Sequence, residues 1–416
     1  MKRKEIVVVL VLILFGLIYH AVEKIDFSFF HDISFSVDET KLLSDRHFSF
    51  LQKEMRFPGV RKILLDNPAG EVKIEKAADG DVLLHSTVRV YHDEKSEAET
   101  IQGQVKIETR MEKQTLKISV PPSNFPYRRV RLLFALAVPE DVLLEVSNHH
   151  GNVDIRGTGR EIRLDENYGN AVVENIDSSV HVRCQYGGLH LKNISGKGFV
   201  TTRYANLDAE NIGGLEIDSR YEHAAIRDIQ GVAKIDYAYG SVDLDGAESA
   251  EIHAKHTRMV VKNVGKGSQI KNSYESIWLE NLSGPIHLST KYCKINLFNC
   301  RSDSLVIDNS FENVDIQNLV GTNVDISLRH GEIRLNFAEV LERINMDCQY
   351  GNIVLELPSG LTPSFNIRTK QGEIVNSTGF GFPILQEGME KYVNFAGQVP
   401  EIMIRSVYGN VVVKNR

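Results

Sequence analysis

Tyr168-Gly169-Asn170-Ala171-Val172-Val173-Glu174-Asn175-Ile176 is one instance of a pattern that recurs along this chain. Segments led by Tyr186, Tyr204, Tyr221, Tyr239, His256, Tyr274, Tyr292 and Phe311 can be laid under it, and the steps between leads are 17 to 19 residues. A fixed period of that kind marks a repeat architecture. Taking the lead residue as position zero, plus three reads Ala171, Leu189, Leu207, Ala224, Val242, Met259, Ile277, Ile295 and Val314. Plus five reads Val173, Leu191, Ala209, Ile226, Leu244, Val261, Leu279, Leu297 and Ile316. Two apolar columns two residues apart describe a strand with one face inward. A third apolar column stands at plus eight, and many units add an inward pair in their later half, such as Val180 with Val182 and Ile286 with Leu288.

One unit of about 18 residues cannot bury its own apolar face, whereas stacked units can. Like positions then lie above one another at about 4.8 Å, each coil pairing with its neighbours. The pattern predicts an all-β fold, a single-stranded parallel β-helix, or β-solenoid, with coils of about 18 residues. Three outward or corner columns fit in-register stacking. Plus seven is almost always Asn (Asn175, Asn193, Asn211, Asn263, Asn281, Asn299, Asn318), a residue that tolerates tight bends and can bond to its own kind along a stack. Plus six alternates in charge through Glu174, Lys192, Glu210, Arg227, Asp245, Lys262 and Glu280, as neighbouring strands prefer. At plus one, Gly169, Gly187 and Gly240 are expected to relieve the turn. The rhythm extends to His150-Gly151-Asn152 on one side and to His330, Tyr350 and Gln371 on the other, with Tyr408-Gly409-Asn410 closing the chain.

The flanks read as an anchor, a cap and an interruption. Lys2-Arg3-Lys4 precedes an uncharged run from Ile6 to Tyr19, which predicts one N-terminal transmembrane helix with the rest of the chain outside the cytoplasm. The bulky Tyr19-His20-Ala21 favours an uncleaved signal anchor over a cleaved leader. The expected division is a transmembrane signal anchor over 1–22, a juxtamembrane stalk over 23–59, a β-rich opening region over 60–141, solenoid repeats over 142–376 and a C-terminal excursion and cap over 377–416. The charged run from Tyr91 to Thr100 reads first as a solvated face, and is the place in the opening region where a helical or loop excursion is most expected. The expected location is a bacterial membrane, single-pass, with the C-terminal domain extracytoplasmic.

The Gly-Asn-Val repeats, the opening Asn67-Pro68-Ala69-Gly70-Glu71-Val72-Lys73-Ile74, the phrase Val138-Pro139-Glu140-Asp141-Val142 and the ending Tyr408-Gly409-Asn410-Val411 together resemble the bacterial β-strand-repeat family called "putative adhesins". The likeness runs over about residues 60–416. It implies an extracytoplasmic β-solenoid of the envelope and transfers no catalytic residue.

The composition allows a folded protein and little else specific. Net charge is −7, without a basic cluster in the body, so no nucleic-acid partner is expected. Cys184, Cys293, Cys300 and Cys348 form neither a disulfide framework nor a metal knuckle. No nucleophile-elbow, HExxH, phosphate-loop or dinucleotide pattern occurs, and short coils leave no length for loops around a cleft. The reading is therefore non-enzymatic, with no catalytic residue, cofactor or metal. His149-His150 is assigned to packing, because His150 stands in the lead column. Trp278, the chain's one tryptophan, and Phe298 fall in outward columns of adjacent coils and are the candidate binding residues. The function expected is a membrane-anchored, adhesin-like binding or structural protein that contacts an envelope polymer (glycan) or a protein. The alternatives are a self-associating envelope scaffold and, less favoured, a polysaccharide-acting β-helix enzyme.

Overall fold

The apolar columns point inward and are sealed there. Ala171, Val173, Ile176, Val180 and Val182, from a single coil, are all within 3% of complete burial. The same columns are buried in coil after coil, from Leu189 and Leu191 to Val411 and Val413. The computed structural model describes residues 46–121 and 125–416. In it each coil lays two strands on the coil before it, in parallel and in register. Ala171 pairs with Val153 below and Leu189 above, and Val173 with Ile155 and Leu191. On the other side of the coil Ile162 pairs with Leu144 below and Val180 above. Two parallel ladders result, one from the strands that follow each lead residue and one from the strands that precede it. Inward apolar residues meet inward apolar residues along both ladders, as Val173 meets Leu191 and Ile277 meets Ile295, which is what the column-wise sequence pattern requires. The chain belongs to the all-β class as expected, and the run after Tyr91 holds the helix Lys95–Gln104. The expected transmembrane helix lies outside the described residues, among which no helix is long and apolar enough to cross a membrane.

In the coils led by Tyr168 through Tyr292 two corners bend the chain, and both use left-handed backbone. Asn175, Asn193, Asn211, Asp228, Asn263, Asn281, Asn299 and Asn318 have φ of 54–57°, where Asn is the best-suited residue after Gly. Their amides also bond coil to coil, Asn193 Nδ2 donating to Asn175 Oδ1 at 2.8 Å and Asn211 Nδ2 to Asn193 Oδ1 at 2.9 Å. Where Asp228 replaces Asn, Gln230 donates to Asn211 in its place at 3.0 Å. The second corner is less expected. Tyr168, Tyr186, Tyr204, Tyr221, Tyr239, His256, Tyr274 and Tyr292 themselves hold φ of 52–69°, at a penalty of roughly 1–2 kcal/mol each. Their rings form an unbroken ladder from His150 to Tyr408, with centroids 4.4–5.4 Å apart and planes within 2–20° of parallel. Each such contact contributes about 0.5–1.5 kcal/mol, so stacking is of the right size to offset the strain.

The corner glycines have a different role from the one expected. Gly169, Gly187 and Gly240 do not carry the positive φ, because the preceding Tyr does. A Cβ on Gly169 would lie 1.5 Å from the Gly151 carbonyl oxygen, and one on Gly187 1.8 Å from that of Gly169. They are glycine because successive backbones touch there.

Both ends of the stack depart from chain order. The first coil in sequence, Lys62–Asn67 with Gly70–Lys76, lies between the coil at 143–156 and an outer coil made later in the chain by Thr115–Ser119 and Val130–Val138. Antiparallel strands then cover that outer coil: Val82–Tyr91 lies on Val130–Val138, His47–Phe57 on Val82–Tyr91, and Glu108–Glu112 on Thr115–Ser119. The other end repeats the device. The last coil in sequence, containing Tyr408, is inserted between the Tyr350 coil and the coil of Pro363–Gln371 and Ile374–Ser377. Tyr408 therefore closes the chain without closing the stack. Glu390–Phe395 runs antiparallel along Pro363–Gln371, and Phe380, Phe382 and Phe395 gather around Phe365 with ring centroids 5.2–6.5 Å apart. The excursion after Ser377 thus places its aromatic side chains over the final coil. Antiparallel covers of this kind end a parallel edge that would otherwise recruit other strands.

Candidate binding site

Tyr168 through Tyr408 present their edges and hydroxyls outward, but each ring face inside the ladder lies against the next ring. A ligand that needs an open aromatic face finds none there. The ladder is consumed by its own stacking.

Trp278 and Phe298 differ. They lie on the outer face of the strands that follow the lead residues, on adjacent coils, diagonal to one another, since Trp278 pairs in register with Asn296 and Glu280 with Phe298. Their rings stack at 4.3 Å and 21°, so the structure brings the two sequence-selected residues together. Trp278 remains 39% exposed. On the opposite side its register partner is Val260, a much smaller residue, and a shallow recess of about 310 Å³ opens there between Arg258, Val260, Lys262, Ser276 and Trp278. The indole therefore has one face on Phe298 and borders an open recess. Glu280 ties the site down: its Oε2 accepts from Lys262 Nζ at 3.0 Å and from Trp278 Nε1 at 3.4 Å. Those hydrogen bonds, that from Lys262 first, hold the Glu280 carboxyl below the usual range. Arg258 was not singled out from sequence. Its guanidinium is exposed and makes no hydrogen bond or ion pair among the described residues.

A larger trough, about 1080 Å³, runs along the other ladder over several coils near the N-terminal end. His181 and Phe199 stack within it at 4.5 Å and 5°, with Lys197 Nζ 4.8 Å from the Phe199 centroid. Its carboxylates are paired across coils, Glu145 with Arg163, Asp165 with Arg183, Glu216 with Lys197, Asp218 with Arg203 and Asp236 with His253, at 3.1–3.9 Å. The pairing between coils holds even where Asp218 and Asp236 are register partners of like charge, because each has its own basic or imidazole neighbour.

An interior column escaped the sequence reading. The residue two before each lead is buried yet polar in many coils, including Asn148, Glu166, Thr202, Ser219, Asn272, Thr290, Asn309 and Ser406. The left-handed corner turns carbonyl groups inward, and this column satisfies them. Asn272 Nδ2 donates to the Thr257 and Tyr274 carbonyls at 2.8 and 3.1 Å, Asn309 Nδ2 to Cys293 at 2.9 Å, and the Tyr237 hydroxyl to Glu222 at 2.8 Å. Cys184 and Cys348 occupy the same column as free, buried thiols, and burial pushes Cys184 up to about 12. Glu166 differs in kind, a carboxyl in a column of amides, hydroxyls and thiols. Its Oε2 takes a hydrogen bond from Asn148 Nδ2 at 2.8 Å, its Oε1 is buried without a partner, and burial pushes its carboxyl up to about 9. The polar side chain recurring once per period was the signal that could have revealed this column. Among the described residues no group of three or more His, Cys, Asp or Glu side chains is arranged to hold a metal, and His150 is stacked on Tyr168 at 5.0 Å.

A family described as Toastrack DUF4097 matches residues 60–393. No curated protein matches the chain. Among solved structures, a "putative cell adhesion protein" of Clostridium sporogenes is 10% identical, with 88% of this chain and 99% of that one covered and a TM-score of 0.17. A "putative lipid binding protein" of Parabacteroides distasonis is 11% identical over 90% and 98%, at a TM-score of 0.22. A "putative adhesin" of the same organism is 10% identical over 89% and 97%, at 0.23.

Proposed function

The chain belongs to the Toastrack DUF4097 family, and from that premise we propose that it is a non-enzymatic, adhesin-like binding solenoid anchored in the bacterial envelope with its body outside the cytoplasm. The regular stack acts as a rigid support, and the recess beside Trp278 contacts an envelope polymer. The carrying observation is the Trp278–Phe298 pair, stacked at 4.3 Å with Trp278 bordering an open recess, whereas the lead rings among the described residues are spent on one another. Large rings with one free face are characteristic anchors of binding surfaces. The test is co-sedimentation of the purified protein with insoluble envelope polysaccharide. Trp278→Ala is expected to lower the bound fraction at least fivefold without changing the circular dichroism spectrum, and equal sedimentation of the two proteins would overturn the reading.

A second reading, a polysaccharide-acting enzyme, has one observation in its favour. Asp218 and Asp236 are register partners on adjacent coils at the trough, and two carboxylates flanking a bond are the equipment of glycoside hydrolysis. The ion pair of Asp218 with Arg203 at 3.1 Å supports the binding reading over this one. Release of reducing ends from envelope polysaccharide by the wild type, abolished in Asp236→Asn, would reverse that order. The self-associating scaffold draws no support from the ends, where antiparallel strands cover the outer coils.

A further inference from the structure

Resting on the binding reading above, we propose that the recess beside Trp278 recognises a carboxylate-bearing sugar ring, of the uronic-acid type, held between the indole face and the Arg258 guanidinium. Four observations converge on that chemistry. The recess holds about 310 Å³, near the lower end of small-molecule sites, which suits one six-membered ring in place of a length of chain. Trp278, stacked on Phe298 on its other flank and 39% exposed, forms one wall, and the C–H face of a pyranose packs on an indole. A ring seated there extends the Phe298–Trp278 stack by one member, as every lead ring in the neighbouring corner extends its own ladder.

The charges choose among ring-shaped ligands. Lys262 and Glu280 cancel as an ion pair at 3.0 Å, and Trp278 Nε1 is turned to the same carboxylate. Arg258, which lines the recess, has no hydrogen bond or ion pair among the described residues, so the site presents one uncompensated cation. A planar guanidinium matches a carboxylate with two parallel N–H···O bonds. The Ser276 hydroxyl, also on the recess wall, can donate to or accept from a ring hydroxyl. The trough on the other ladder lacks this combination, because its cations are paired and Phe199 has His181 on one face and Lys197 over the ring.

The single tryptophan of the chain makes the recess directly observable. Titrating the full-length protein with trigalacturonate while reading tryptophan emission is expected to give a saturable change. Maltotriose, a neutral chain of equal length, and acetate, an anion without a ring, are expected to give none. Arg258→Gln is expected to weaken the trigalacturonate response at least fivefold. No saturable change with trigalacturonate, an equal change with maltotriose, or an unaltered affinity in Arg258→Gln would each overturn the proposal. Envelope co-sedimentation run on the same preparations separates two failures. If Trp278-dependent sedimentation persists while trigalacturonate is silent, the ligand class is wrong and the binding reading stands. If Trp278→Ala sediments like wild type, both fall.

Discussion

Replacing Glu166 by Gln should stabilise this protein, and by more as the pH rises. Glu166 is fully buried in a column that elsewhere donates to corner carbonyls, it accepts one hydrogen bond from Asn148, and its second oxygen has no partner. Burial raises its folded value to about 9 from an ordinary 4.5. A raised carboxyl means the folded state keeps a proton that the unfolded state gives up. The stability associated with that proton is fully present below about 4.5, declines as pH rises, and is gone above about 9. The decline is about 1.4 kcal/mol per pH unit, so on the order of 3 kcal/mol is lost by pH 7. Gln keeps the shape, can accept from Asn148, and offers N–H donors to the carbonyl-rich corner without titrating. Urea unfolding of wild type and Glu166→Gln at pH 5, 6, 7 and 8 isolates the residue, since the other titrating groups contribute equally to both. The expected result is a gap that widens steadily with pH in favour of Gln. Parallel pH profiles would refute the assignment of a buried, protonated Glu166.

Other outcomes follow from the corners and ends. Tyr204 stacks on Tyr186 at 5.3 Å and on Tyr221 at 4.5 Å, so Tyr204→Ala should lose roughly 1–3 kcal/mol in urea unfolding. Tyr204→Gly should recover about 1 kcal/mol of that by relieving the left-handed backbone. Gly351→Ala would place a Cβ 1.6 Å from the Gly331 carbonyl oxygen, and a loss of more than about 3 kcal/mol is expected by the same measurement. A chain ending at residue 397 lacks the penultimate coil that joins the Tyr350 coil to Pro363–Gln371. Limited proteolysis should cut it within 360–397 far faster than the full chain.

Most of the solenoid was legible because a stack repeats each physical requirement once per coil. The inward pairs, the Asn corner and the plus-six charges each recur often enough to be seen as columns, and the salt bridges Lys192–Glu210 and Lys262–Glu280 at 2.9 and 3.0 Å follow from them. The ends were not legible, since nothing local in Tyr408-Gly409-Asn410 distinguishes a last coil from a penultimate one. That choice is made by strand pairing with partners far along the chain. The Tyr corner misled for another reason: local preference assigns the left-handed turn to Gly169 and its equivalents, whereas cumulative ring stacking allows Tyr to take it and leaves Gly for close backbone contact. At the candidate site, Trp278 and Phe298 stood out as departures from their columns. Arg258 did not, because its significance depends on the absence of an ion partner among its described neighbours, a property of the folded face.

Recurring columns build the solenoid while the break at Trp278 carries binding, and one comparison tests both halves. Wild type, Trp278→Ala and Tyr204→Ala are sedimented with the same envelope polysaccharide at a temperature where all three are folded. The expected result is strong loss of binding in Trp278→Ala and wild-type binding in Tyr204→Ala. Loss in Tyr204→Ala with binding retained in Trp278→Ala would instead place the site on the tyrosine ladder.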